Sequence, residues 1–189
     1  MCQRAGDLLE TYAQALETDP FRIKCVTSAV VGGLGDVLSQ CTLWARGGDA
    51  VWGDASAVWE TWAVAIYCFF FVAPFLHVVY DALEKWIPTD KSQAHAIAQV
   101  TIDSLVVETF LGLTFIVMVG FLEGETWEED IVPTIKSDYL TLVAWLVVTS
   151  MVMGPAQVYL FVHLPLKWRV LIADGKGLVW NFIACFIVG

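Results

Sequence analysis

Charge is scarce in this chain, and positive charge is scarcer. Charged residues make up 16% of the 189, with ten Lys and Arg against twenty Asp and Glu. A net charge of −10 leaves nothing to neutralise a phosphate backbone, so nucleic acid is excluded as a partner. Cysteines number five, at positions 2, 25, 41, 68 and 185, with no CxxC pair, and His77, His95 and His163 are equally scattered. Metal sites draw on ligands at short, repeated spacings. No metal or other cofactor is therefore expected, and the cysteines read as small apolar fillers. Basic residues are also missing where a mitochondrial presequence would need them. The first nineteen residues hold Arg4 against Asp7, Glu10, Glu17 and Asp19, so any organelle address is expected to be internal.

What the chain has instead is apolar and blocked: 58% hydrophobic and 13% aromatic residues. No charge interrupts Thr61 to Tyr80 or Tyr139 to Leu166. Either run is long enough to cross a hydrocarbon core about 30 Å thick at about 1.5 Å per residue. Three further blocks carry isolated charges: Cys25–Ala45 with Asp36, Ala94–Leu122 with Asp103 and Glu108, and Val170–Gly189 with Asp174 and Lys176. The expected fold is all-α, one polytopic membrane helix bundle of four to five spanning helices. Spans are placed near 22–44, 59–80, 95–122, 139–162 and 169–188. Leu8, Leu9, Tyr12 and Leu16 recur at helical spacing and predict a short amphipathic helix at the membrane face.

With five spans, the N-terminus and the loops near 81–93 and 163–169 share a face holding Arg4, Arg22, Lys24, Lys85, Lys91, Lys167 and Arg169. The opposite loops hold Arg46 and Lys136 amid acids from Asp49 to Asp138. Basic excess marks the cytoplasmic or matrix-like side, which puts the N-terminus there. Trp44, Trp59, Trp62, Trp86, Trp127 and Trp168 fall near predicted ends, where an indole is half wet.

Small residues mark the first span. Ser28, Gly32 and Asp36 recur every four positions, with Gly33 and Gly35 alongside and Gln40 one turn on. In lipid, close backbone approach across small side chains is a main source of packing energy, so a crowded neighbour is expected there. Gly33-Leu34-Gly35-Asp36 also has the GxGD pattern of intramembrane aspartyl proteases, with Tyr80-Asp81 resembling their partner motif in reversed order. That remote alternative needs Asp36 and Asp81 to share a proton.

Asp36, Asp103, Glu108 and Asp174 are four acids at membrane depth. Each costs roughly 2.5–3.5 kcal/mol if left unpaired. Arg22, Lys24 and Arg169 are candidate inward-reaching partners, beside Lys176. Helical spacing puts Gln99 and Asp103 on one face and Glu108 on another. It puts Asp174, Gly177 and Asn181 together, with Lys176 elsewhere. With Gln40, Gln157 and Arg169 these groups form either a packed polar interior or the lining of a wet path. Pro74 and Pro155 are expected to kink their helices.

Three stretches then resemble one family, the Mpv-seventeen / peroxisomal membrane protein family. They are "LETYAQALETDPFRIKCVTSAVVGGLGDVLSQ" (9–40), "FVAPFLHVVYDALEKWIP" (71–88) and "GPAQVYLFVHLPLKWRVLIADGKGLVWNFIACF" (154–186). The resemblance implies a multi-pass protein of an organelle membrane, usually the mitochondrial inner membrane and otherwise peroxisomal or plastid. It also implies a weakly selective channel for ions or small metabolites, with no catalytic residue to transfer. Asp36, Asp103, Gln157, Arg169, Trp180 and Asn181 carry over as signature positions. The alternative function is a structural accessory subunit of a large respiratory or ATP synthase complex. Expected partners are accordingly the lipid bilayer, with subunits of such a complex or further copies of the chain; no enzymatic activity is expected.

Overall fold

The structure, a computed structural model, describes residues 2–47, 55–89 and 92–188, with side chains described from Glu10 to Val179 within those ranges. Among the described residues it is helical throughout, without strands. Six helices follow in order: α1 (Cys2–Thr18), α2 (Pro20–Ala45), α3 (Ala55–Trp86), α4 (Gln93–Glu123), α5 (Trp127–His163) and α6 (Arg169–Val188). Three of them, α3, α4 and α5, are long and apolar enough to cross a membrane.

The ends follow from local chemistry. Asp19 caps α2 by accepting from the Arg22 N–H, with Pro20 at the first helical position, where a missing N–H costs nothing. Ser92 caps α4 by accepting from the His95 N–H. Gly124 ends α4 in the left-handed region at φ 90°, a conformation that glycine adopts without a Cβ penalty.

Successive long helices run antiparallel. Along α3 and α4, Trp59 Nε1 donates to the Leu122 carbonyl, Tyr67 Oη to the Leu111 carbonyl, and Tyr80 Oη to Asp103 Oδ1. Along α4 and α5, Gly120 lies at Ile131, Gly112 at Leu146, and Asp103 at Gln157. The N-terminal parts of α2 and α6 both lie at the C-terminal end of α3, through Lys24–His77 and Arg169–Glu84. One end of the bundle thus gathers α1, the end of α3, the start of α4 and residues 164–169. The other gathers the starts of α3 and α5.

Two buried apolar clusters hold the long helices. Tyr80, Leu76, Val100, Phe161 and Val170 form one, and Ala63, Val64, Tyr67 and Val119 the other. The rest of the apolar surface faces outward, as a bilayer allows: Leu140, Met151 and Val152 on α5 are about three-quarters exposed. Trp44, Trp59, Trp62, Trp86 and Trp127 are exposed near helix ends, and Trp168 is half-buried. In α1, Leu16 is buried and Tyr12 hydrogen-bonds Thr27 and packs on Trp168, so these two positions turn towards protein. The side chains of Leu8 and Leu9 lie outside the described residues.

The prolines behave in two ways. Two π turns, Cys68–Val72 in α3 and Trp127–Ile131 in α5, end two residues before Pro74 and Pro133. A proline ring clashes with the carbonyl four residues earlier and offers it no N–H. A widened turn relieves both problems, so Pro74 is accommodated by a π turn. Pro155 lies inside α5, which continues through it. A third π turn, Asp103–Val107 in α4, is followed by no proline.

Candidate functional site

The acids that the sequence places at membrane depth divide into separate groups. Asp36 and Gln40 form a knot between α2 and α3: Gln40 Nε2 and Thr61 Oγ1 both donate to Asp36 Oδ2, at 2.8 and 2.6 Å, and Gln40 also reaches the Ala57 carbonyl. The small residues of α2 serve the same contact. A Cβ on Gly32 would lie 2.5 Å from Cys68 Sγ, whereas one on Gly33 would make ordinary contacts of 3.7 and 3.8 Å with Thr61 and Ala65. Gly35 is buried and so is Ser28, which turns instead to α6.

The protease alternative fails on this geometry. Asp36 is bonded to Thr61 near the start of α3, while Asp81 stands twenty residues further along the same helix, about 30 Å away at 1.5 Å per residue. The nearest ion-pair partner of Asp81 is His77, at 4.0 Å. No dyad forms.

The main interior network is built on the third π turn. Its widened hydrogen bond runs from the Glu108 N–H to the Asp103 carbonyl, and such i→i+5 closure stacks residues five apart. Glu108, expected on another face from Asp103, is therefore brought to the same side. Glu108 meets Lys176 of α6 directly, and Asp103 is joined to it through Gln157. Lys176 Nζ lies 2.5 Å from Glu108 Oε1 and donates to Ser104 Oγ and to Gln157 Oε1. Asp103 receives Tyr80 Oη on one oxygen and Gln157 Nε2 on the other, at 2.8 and 2.6 Å, while Ser150 donates to Glu108 Oε2. Asp174, on a different face of α6, accepts from Ser28 Oγ at 2.6 Å. Asn181 and Trp180 have side chains outside the described residues.

A second layer closes the end beneath it. Arg169, 2% exposed, donates to Glu84, Gln99 and Thr89, each at 2.7 Å. Gln99 Nε2 in turn bridges Glu84 and the Ile87 carbonyl. The guanidinium stands 4.9 Å from the centre of the Phe161 ring, and its Nε is the one buried polar side-chain atom without a hydrogen-bond partner among the described residues. Of the three basic groups expected to reach inward, Lys24 and Arg169 are buried and Arg22 is not, and among the described residues none pairs with the four acids. Arg22 is exposed and pairs with Asp19, Lys24 bonds His77, and Arg169 takes Glu84. Lys176 is the base that pairs with one of the membrane-depth acids, Glu108. Outside the bundle, Lys167 Nζ holds Glu17 of α1 at 2.6 Å, and that hydrogen bond and charge keep the Glu17 carboxyl below its usual range.

Between α2 and the four later helices lies a cavity of about 380 Å³. Its polar lining is Ser28, Asp103, Glu108, Thr149, Asp174 and Lys176. Its larger wall is apolar and aromatic, with Val64, Tyr67, Leu111, Phe115 and Leu146. Gln157 stands behind the polar end, holding Asp103 and Lys176. Asp36, Gln40 and Arg169 are not part of the lining. Tyr80, Glu84, Thr89 and Ser104 are network members that helical periodicity did not single out. Glu84 follows an uncharged run and precedes Lys85, which reads as a solvated helix end. The signal for it is the buried arginine itself, which requires a carboxylate.

The comparisons with known proteins agree with this helical membrane architecture. The sequence profile of the Mpv17 / PMP22 family matches residues 120–185. Peroxisomal membrane protein 2 of Bos taurus is 30% identical over 175 residues, covering 91% of this chain and 85% of the relative. The chain belongs to the Mpv17 / PMP22 family. Mitochondrial inner membrane protein Mpv17 of Danio rerio is 27% identical over 92% of this chain and 93% of its own length. PXMP2/4 family protein 4 of Dictyostelium discoideum is 30% identical over 69% of this chain and 67% of its own. No solved structure matches the chain. The Mpv17 / PMP22 membership makes this a membrane protein, and the family profile covers the last residues of α4, all of α5, Arg169 and the cavity-facing part of α6.

Proposed function

We propose that this member of the Mpv17 / PMP22 family forms a weakly selective passage for ions or small metabolites and performs no chemistry on them. The observation that carries the reading is the cavity among the helices, with Asp103, Glu108, Asp174 and Lys176 in its lining and room for a small solute. Charged groups at membrane depth are costly unless they are paired or wetted, and here they border open space. The membrane assigned is the mitochondrial inner membrane, with the peroxisomal membrane as the alternative, on the printed names of the relatives. All five helices α2 to α6 cross it in this reading. The N-terminus lies on the basic, matrix-like side, and the partners are the bilayer and further copies of the chain or subunits of a larger complex.

Gly177 gives the test. It lines the cavity, and among the described residues a Cβ there meets nothing within 4 Å. Gly177→Phe therefore adds bulk inside the cavity without a backbone clash, while Asp36→Asn alters a carboxylate outside the lining. Purified protein in liposomes is expected to release small solutes. Gly177→Phe is expected to slow release on the order of tenfold or more, equivalent to roughly 1.4 kcal/mol of added barrier, and Asp36→Asn to leave it unchanged. Unchanged efflux through folded Gly177→Phe protein overturns the passage.

A further inference from the structure

The charges lining the cavity are unevenly satisfied. Asp103 has a donor on each oxygen, from Tyr80 and Gln157. Glu108 has Lys176 on one oxygen and Ser150 on the other. Lys176 divides its three N–H bonds among Glu108, Ser104 and Gln157. Asp174 has Ser28 alone, on Oδ2. Among the described residues, its second oxygen receives no hydrogen bond and no cation pairs with it. One carboxylate of the lining is thus left to a visitor, and the same lining includes the aromatic rings of Tyr67 and Phe115.

We infer that the cavity is a binding site for a small amphipathic amine, its protonated nitrogen on Asp174 and its apolar body against Tyr67 and Phe115. Three features fix that class. A single uncompensated carboxylate in a low-dielectric space selects one positive charge bearing N–H groups, because pairing with hydrogen bonding is what offsets its burial. Aromatic faces favour a cation and an apolar body over a second charge. A volume of about 380 Å³ falls within the range of small-molecule pockets and excludes a large solute. A carboxylate ligand would meet Asp174 and Glu108 and find Lys176 already committed. The inference concerns equilibrium occupancy of the same cavity and does not require that anything cross the membrane.

The experiment is binding of benzylammonium to the purified full chain in detergent micelles, followed by intrinsic fluorescence and calorimetry, with benzoate and benzyl alcohol as probes of equal shape. Saturable benzylammonium binding is expected, with at least tenfold weaker binding of both other probes. Asp174→Asn is expected to weaken benzylammonium on the order of tenfold or more, and Gly177→Phe, which fills the cavity and keeps the carboxylate, to abolish it. If Asp174→Asn does not fold, Gly177→Phe decides. Absence of saturable binding, equal binding of benzoate or benzyl alcohol, or undiminished affinity in either folded variant overturns the site. Benzylammonium binding with impermeable liposomes would sink the passage alone; efflux without benzylammonium binding would sink this inference alone.

Discussion

At the scale of single residues, the two adjacent glycines of α2 show how far spacing can lead. Their repeat announces a close helix contact, and α3 supplies it. Yet the two positions differ, because a Cβ on Gly32 would lie 2.5 Å from Cys68 Sγ whereas one on Gly33 has room. Alanine gains up to about 1 kcal/mol over glycine inside a helix, while overpacking costs about 1–3 kcal/mol. Gly33→Ala is therefore expected to raise the thermal unfolding midpoint in detergent slightly, and Gly32→Ala to lower it. Cys68→Ala in the Gly32→Ala background is expected to recover most of the loss. Equal effects of the two alanines would show that the α2–α3 contact is looser than described. Asp36 and Gln40, four apart, were legible as neighbours from spacing alone. That Asp36 belongs to α3 and not to the cavity was not, since periodicity fixes a face but not the helix it meets.

At the scale of elements, the helices were legible because uncharged runs and caps are local signals. The π turns were not, because a widened turn satisfies tertiary demands. Near Pro74 and Pro133 that demand is the ring; at Asp103–Val107 it is the placing of Asp103 on Gln157 and of Glu108 on Lys176. The extra residue lets α4 keep Gln99 and Asp103 on one side while turning Glu108 onto Lys176. Deleting Leu105, which is exposed, is expected to restore a regular helix with Asp103 and Glu108 four apart and still on one face, so the Glu108–Lys176 pair survives; Glu108→Gln instead leaves Lys176 without its carboxylate. Breaking a buried pair in this second way costs about 3–5 kcal/mol, readable as a large fall in the unfolding midpoint; a fall of less than about 1 kcal/mol would mean that the pair is incidental. The helix α1 is held more lightly. Since Lys167 keeps the Glu17 carboxyl below its usual range, their attraction is complete at neutral pH and is lost as pH falls through that lowered value. Amide exchange in residues 10–18, corrected for its intrinsic pH dependence, should quicken in acid. Glu17→Gln should give the acid pattern at pH 7, and identical protection in the variant would assign the hold on α1 to Tyr12 and Leu16 alone.

At the scale of the whole molecule, the question is how many helices share the depth of the three that are apolar enough to span by composition. Asp36, Gln40 and the glycines keep α2 from looking like a span, but its contacts run the length of one. Its Lys24 bonds His77 of α3, and its Gln40 reaches the Ala57 carbonyl of α3. Those contacts cover sixteen residues of α2 and twenty of α3, about 24–30 Å of rise, close to the thickness of a hydrocarbon core. That match supports the proposed reading in which α2 crosses beside α3. The polar groups that lower its hydropathy are turned towards α3 and α6, where lipid does not meet them. The start of α6 lies beside the start of α2, through Arg169 at Glu84 and Asp174 at Ser28, so the two run in the same direction. Single cysteines introduced in a Cys2→Ser background test the outcome with a membrane-impermeant maleimide. Glu10→Cys and Lys85→Cys are expected to react from one side of sealed vesicles, and Gly47→Cys and Gly124→Cys from the other. Positions 10 and 47 decide α2, because nothing but its crossing separates them. Labelling of both from the same side would take α2 out of the bilayer, expose Ser28 and the glycine face to water, and open the wall that encloses the cavity.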